Sequence, residues 1–173
     1  MAFRKMKEKT IYLLIGPKGS GKSYIGTMID RCFQIQFIRV EDWAKTIKRG
    51  REIDDEAYLK DVFQVIETGI RKAMVNHGKI VFESTGLTPY FDQMYDSLCN
   101  DFNVKSIRIS AEDEICLSRV RTRDRSIHID VSDEQVRLLN KKVKEKGFTA
   151  DFEITNTDKT DKELIKELKE ILN

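Results

Sequence analysis

Eight residues, Gly16-Pro-Lys-Gly-Ser-Gly21-Lys22-Ser23, constrain this chain more than any others. They satisfy the pattern G-x-x-x-x-G-K-[ST] and follow an apolar run, Thr10–Ile15, that reads as a buried strand. A helix is predicted to follow, from about Gly21 to Cys32. At a strand–helix junction the pattern has a geometric meaning. Glycines at 16, 19 and 21 let the backbone curl with its N–H groups inward, and the helix N-terminus adds partial positive charge at the same place. Lys22 brings a full charge and Ser23 a hydroxyl suited to Mg²⁺, so the loop reads as a cradle for the polyphosphate of a nucleotide. The alternative is a glycine-rich turn with no ligand, which requires the whole pattern to fall at such a junction by chance.

The rest of the chain alternates short apolar runs with amphipathic stretches, the arrangement of a mainly parallel sheet covered by crossover helices. Further strands are predicted at Ile35–Arg39, Lys79–Phe82, Val104–Ile109 and Phe152–Thr155. A long helix is predicted over Asp54–Asn76, where Tyr58, Val62, Val65, Ile66, Ile70 and Met74 recur at helical spacing, with His77-Gly78 closing it. Other helices fall at Pro89–Cys99, after Ser110, around Ser132–Lys146 and at Asp161–Leu172. Ser110 is placed to cap its helix, with Asp113 at the third helical position. The fold class is therefore α/β: a three-layer sandwich with a five-stranded, mainly parallel sheet and helices on both faces. No repeat, linker or low-complexity tract divides it, and residues 1–173 read as one domain.

Lys and Arg number 31 against 29 Asp and Glu, a net charge of +2 that gives no general attraction to nucleic acid or to a membrane surface. Cys32, Cys99 and Cys116 lie outside any CxxC spacing, which argues against a disulfide framework and a zinc site and for a reducing cytoplasm. The apolar run Ile11–Ile15 is too short for a signal-peptide core or a membrane span, so a soluble, unprocessed protein is expected.

With these motifs the chain resembles the small P-loop kinases, the group of shikimate, gluconate, adenylate and polynucleotide 5′-kinases. That resemblance implies ATP and Mg²⁺, with the γ-phosphate passing to a hydroxyl of a small-molecule or nucleotide-like acceptor. Its nucleotide-binding residues would be Gly16, Gly19, Ser20, Gly21, Lys22, Ser23 and Tyr24, joined by Arg119 and by Asn156. Asn156 lies in Phe152-Glu-Ile-Thr155-Asn156-Thr157, similar to the late strand and loop that pack near adenine in these kinases.

Three further segments carry the likeness. In Phe37-Ile38-Arg39-Val40-Glu41-Asp42-Trp43, Glu41 stands where the family carries an acidic residue, usually Asp, against the acceptor hydroxyl; either Glu41 or Asp42 can instead cap a helix there. In Val81-Phe82-Glu83-Ser84-Thr85-Gly86-Leu87-Thr88-Pro89, Glu83 would join Ser23 at Mg²⁺, with pairing to Lys22 or a helix terminus as the alternative. Gly86 stands where the family often has Asn. Arg119, Arg121, Arg123 and Arg125 resemble lid arginines; in a continuing helix Arg119 and Arg123 share one face, while a solvated basic helix end is the plainer reading.

The catalytic set implied is Lys22, Glu41, Arg119 and Arg123, with an acceptor cap over residues 41–58 and a lid over 119–132. His128 in the lid is placed either to touch a substrate phosphate or to lie plainly on the surface. Trp43, Tyr58, Arg39, Arg51 and Tyr90 are candidates for shaping the acceptor site. The competing function is a nucleotide-dependent switch or accessory ATPase working through a partner. Its GTP form is disfavoured because Asn156-Thr157-Asp158-Lys159 does not spell the guanine-reading N-K-x-D. Action on a nucleic-acid end is also disfavoured, since charge is balanced and no basic stretch is interleaved with aromatics.

Overall fold

The computed structural model of the chain describes residues 7–52 and 55–173. Its elements, in order, are β1 (Thr10–Ile15), α1 (Lys22–Phe33), β2 (Gln36–Ile38), α2 (Val40–Lys48), α3 (Glu56–Asn76) and β3 (Lys79–Ser84). There follow α4 (Pro89–Asp101), β4 (Asn103–Ser110), α5 (Asp113–Thr122), α6 (Asp133–Lys146), β5 (Phe152–Thr155) and α7 (Asp161–Leu172). The five strands form one sheet in the order β2-β3-β1-β4-β5, and every adjacent pair is parallel.

All six residues of β1 are buried, which is why this strand is a continuous apolar run and not an alternating one. Successive side chains still point to opposite faces. Ile11, Leu13 and Ile15 pack with Ile38, Val62, Ile66, Ile70 and Phe91 beneath α3 and α4. Tyr12 and Leu14 pack with Ile25, Ile29, Ile107, Leu164 and Leu168 beneath α1 and α7. Each fully buried Leu, Ile or Phe in these layers contributes roughly 1.5–3 kcal/mol relative to exposure. A smaller cluster of Leu117, Val120 and Val136 joins α5 to α6.

Helix α2 is a separate short helix that lies against α3. The Tyr58 hydroxyl donates to the Ala44 carbonyl at 3.0 Å, and the Trp43 ring lies so close to Gly69 that a Cβ there would come within 2.3 Å of it. Strand β1 has β3 on one side, with Ile15 opposite Ser84, and β4 on the other. The loops leaving the C-terminal ends of β1 and β3 are thereby neighbours, at the point where strand order reverses and open α/β sheets form their crevice.

Several boundaries differ from the sequence expectation. Ser110 is not a helix cap: it extends β4, pairs with Thr155 and accepts the Asn156 N–H at 2.6 Å, so α5 starts at Asp113 with Glu112 at its N-cap and no side-chain cap bond. Helix α5 ends at Thr122, leaving Arg123 in extended conformation, so Arg119 and Arg123 are not stacked on one helical face. Glu41 and Asp42 cap nothing, since the N-cap of α2 is Arg39 and both acids sit in the first helical turn. Asp55 caps α3, its carboxylate accepting the Tyr58 N–H at 2.6 Å; Asp54, where that helix was predicted to begin, lies outside the described residues. Ser132 and Gln135 form a reciprocal capping box on α6.

Candidate nucleotide and acceptor site

The loop between β1 and α1 is shaped by what surrounds it. Gly19 has φ +81°, and a Cβ there would stand 2.1 Å from the Cys116 carbonyl oxygen of α5, so only glycine fits. The Lys22 ammonium folds back to donate to the carbonyls of Gly16 at 2.9 Å and Pro17 at 2.7 Å. Burial lowers its pKa from the ordinary 10.5 to about 8, with Glu83 opposing that shift and Lys18 adding to it.

Three side chains from distant parts of the chain clamp the loop. On α6, buried Asn140 accepts the Lys18 N–H at 2.7 Å and donates to the Lys18 carbonyl at 2.9 Å. From α5, Arg119 reaches the carbonyls of Gly19 and Ser20, each at 3.4 Å, Asn156 at 2.8 Å and Thr157 at 3.3 Å. Asn156 itself donates to the Ser20 carbonyl at 3.0 Å. The Arg119 fork is thus engaged by backbone at the junction of the loop with the segment after β5. The Ser20 hydroxyl is fully buried and has no hydrogen-bond partner among the described residues.

At the end of β3, Glu83 accepts a 2.6 Å hydrogen bond from the Ser23 hydroxyl. A cavity of about 1200 Å³ opens over this pair. It is lined by Gly19, Gly21, Lys22, Ser23, Tyr24, Glu83, Arg119 and Asn156 on the loop side, and also by Glu41 and Arg123. Gly16 and Ser20 are not among its lining residues; Ser20 lies buried behind the wall. Tyr24 is half exposed and its hydroxyl donates to Asp161 at 2.5 Å.

Glu41 projects from the first turn of α2. One carboxylate oxygen lies 3.7 Å from the Lys18 ammonium, and the other lies 2.9 Å from Nδ1 of His128. Burial pushes the Glu41 pKa up, but Lys18, His128 and Arg123 together outweigh it and hold the carboxyl below its ordinary value. His128 therefore meets this carboxylate. Its segment between α5 and α6 rests on α2 through further bonds: the Lys45 ammonium donates to the Ser126 carbonyl at 2.6 Å and Arg39 to that of Ile127 at 3.5 Å. Arg123 donates to the Ile129 carbonyl at 2.8 Å within the same segment.

Sequence reasoning missed Lys18 and Asn140. Lys18 was visible as the first of the loop's two lysines, but its contact with Glu41 depends on where α2 lies. Asn140 carried a fainter sign, a polar residue one helical turn after buried Val136 on the inward face of α6.

The AAA domain family matches residues 11–145, from β1 almost to the end of α6. The chain belongs to that family. This AAA-domain protein is 26% identical over 151 residues to the bifunctional shikimate kinase/3-dehydroquinate synthase of Thermotoga maritima, a match covering 84% of the chain and 29% of that protein. It is 32% identical over 76 residues to shikimate kinase 2 of Enterobacter sp. (strain 638), covering 43% of each. The chain thus spans less than half the length of these relatives. It superposes on the shikimate kinase from Acinetobacter baumannii in complex with shikimate with a TM-score of 0.66 at 13% identity, over 98% of this chain and 96% of that one. The fold is the α/β sandwich of the P-loop kinases. Among the described residues no helix is long and apolar enough to cross a membrane.

Proposed function

We propose that this AAA-domain protein is an ATP-dependent phosphotransferase that moves the γ-phosphoryl group to a hydroxyl of a small-molecule or nucleotide-like acceptor. One observation carries the reading: a single cavity brings the phosphate loop, with Lys22 and Ser23, together with Glu83 and a second acid, Glu41, from the acceptor side. A largely buried carboxylate kept ionised in a cleft beside the loop suits the orientation of a reacting hydroxyl. The kinase names of the relatives and of the superposed structure support the same reading.

The residues present fit Mg²⁺. The Ser23 hydroxyl and the Glu83 carboxylate are in contact, and oxygen donors are the ligands this ion takes. When bound, the ion supplies charge neutralisation at the phosphates.

Lys22, freed from the Gly16 and Pro17 carbonyls, would meet the β- and γ-phosphates, and the amides of Gly19, Gly21 and Lys22 would hold the same oxygens. The Glu41 carboxylate would orient the acceptor hydroxyl and take its proton as that oxygen bonds to the γ-phosphorus and the bridging oxygen departs with ADP. Arg123 lines the cavity and acts on the Glu41 charge, while Arg119 is engaged by the backbone of the loop and of the segment after β5. One wall is the α3 face of Tyr58, Leu59, Val62, Phe63 and Ile66, which favours an acceptor with an apolar flank beside its hydroxyl.

The test is ADP release from ATP and Mg²⁺ over a panel of shikimate, gluconate, nucleoside monophosphates and 5′-hydroxyl oligonucleotides. Release should depend on one acceptor class. Glu41→Gln should keep ATP affinity and lower transfer by about 10²–10⁴-fold. Release that is the same with and without every acceptor would contradict the proposal.

A further inference from the structure

Three elements meet at Glu41, and only one of them belongs to the phosphate loop. Lys18 approaches one oxygen from that loop, and His128 approaches the other from the segment joining α5 to α6. All three side chains are largely buried, at 16%, 20% and 14% exposure for Lys18, Glu41 and His128. The histidine reaches Glu41 only because residues 126–128 lie along α2, held by Lys45 and Arg39. An ionised carboxylate accepts hydrogen bonds and donates none, so the 2.9 Å contact requires a proton on Nδ1 of the ring.

We infer that His128 is a positioning residue for phosphoryl transfer: through Nδ1–H it fixes one oxygen of Glu41, leaving the oxygen beside Lys18 for the acceptor hydroxyl, and it does so only while its segment rests on α2. The inference rests on the proposed acceptor role of Glu41. It makes the acid's orientation contingent on lid placement, so that the carboxylate is aligned when the cover is in place and released when it lifts. A carboxylate without such a partner has two equivalent oxygens and a mobile side chain, and alignment of the reacting hydroxyl suffers accordingly.

Other charged groups face this pair from each neighbouring element. On the cavity side Glu41 has Lys18 and Lys22 of the loop, Arg123 of the lid and the Tyr58 hydroxyl of α3 in its field. On the outer side His128 borders a second cavity of about 460 Å³, shared with Lys45, Lys48, Arg49, Arg51 and Arg125 and with the acids Glu52 and Asp130. Asp124 lies close enough for His128 to act on its charge. Among the described residues the ring and the Lys18 ammonium are the two groups that meet the Glu41 carboxylate.

The chain has two histidines, His128 and exposed His77, so nitrogen NMR of the imidazoles assigns both with one serving as control. In the full chain saturated with Mg²⁺ and a non-hydrolysable ATP analogue, His128 should be held as the Nδ1–H tautomer, and Glu41→Ala should abolish that preference without altering His77. The same tautomer mixture for His128 with and without Glu41 overturns the inference whatever the enzyme's activity. The second readout is the pH profile of ADP formation, taken on the acceptor that supports it or on hydrolysis by water. His128→Ala should lower kcat/KM by about tenfold, the size of one charge-assisted hydrogen bond, with ATP affinity unchanged. Its acid limb should move to higher pH, because Glu41 loses a partner that favours its ionised form. His128→Asn, whose amide can donate from the Nδ1 position, should restore most of the rate. An unchanged rate and acid limb in His128→Ala, or an Asn variant no better than the Ala one, would overturn the positioning role. Loss of acceptor-dependent turnover in every variant and in the parent would strike the proposed function and leave the dyad standing.

Discussion

Lys22 is buried in the loop that it serves, and its proton is the most exposed consequence of that arrangement. Its folded pKa of about 8 lies below the ordinary 10.5, so between these values the unfolded chain holds a proton that the folded chain does not. Stability therefore rises with pH across about 8 to 10.5, and the burial penalty is fully present below about 8. A pH series of urea denaturation should show that slope in the parent chain and lose it in Lys22→Met. Phosphates would favour the ammonium, so Mg²⁺–ATP binding at pH 8.5 should take up protons, read as a binding enthalpy that changes with the ionisation heat of the buffer. Asn140 acts at the same scale with no charge at all. Asn140→Ala would leave the Lys18 N–H and carbonyl without their partner, and denaturation should record a loss of about 1–3 kcal/mol.

Elements became legible in the sequence to the extent that their signals were local. The junction of strand, loop and helix over residues 10–33 was legible because the signals of the loop are local and depend only on the strand before and the helix after. The end of α5 was not, because nothing between Arg119 and Arg125 breaks a helix by composition; the turn comes where Asp124 accepts the Ser126 N–H and Arg123 turns to the Ile129 carbonyl. Ser110 was misread for a similar reason, since strand pairing with β5 claimed a residue whose local pattern suits a cap. Arg119 is the element-scale hinge of the site, joining α5, the loop and the segment after β5. Arg119→Lys keeps the charge but cannot present a planar fork to four carbonyls, and ATP affinity by calorimetry should fall by about tenfold.

At the scale of the molecule, the sheet was foreseeable because five apolar runs separated by helical stretches leave few topologies, and right-handed crossovers reduce them further. What could not be foreseen is which segments the topology brings together: Asn140 meets the phosphate loop, and His128 meets Glu41 beside it, from sequence positions that carry no mark of those contacts. Core and site should also separate in experiment. Ile70→Ala, at a fully buried position on the inward face of α3, should lose about 2–5 kcal/mol of stability and leave ATP affinity within about twofold at a temperature where the variant is folded. The fate of the γ-phosphorus separates phosphoryl transfer from plain hydrolysis. Phosphorus NMR of ATP, Mg²⁺ and protein should show the γ resonance passing to a new phosphomonoester when an effective acceptor is supplied, and no such product with Lys22→Ala; inorganic phosphate as the sole product across all acceptors would contradict it.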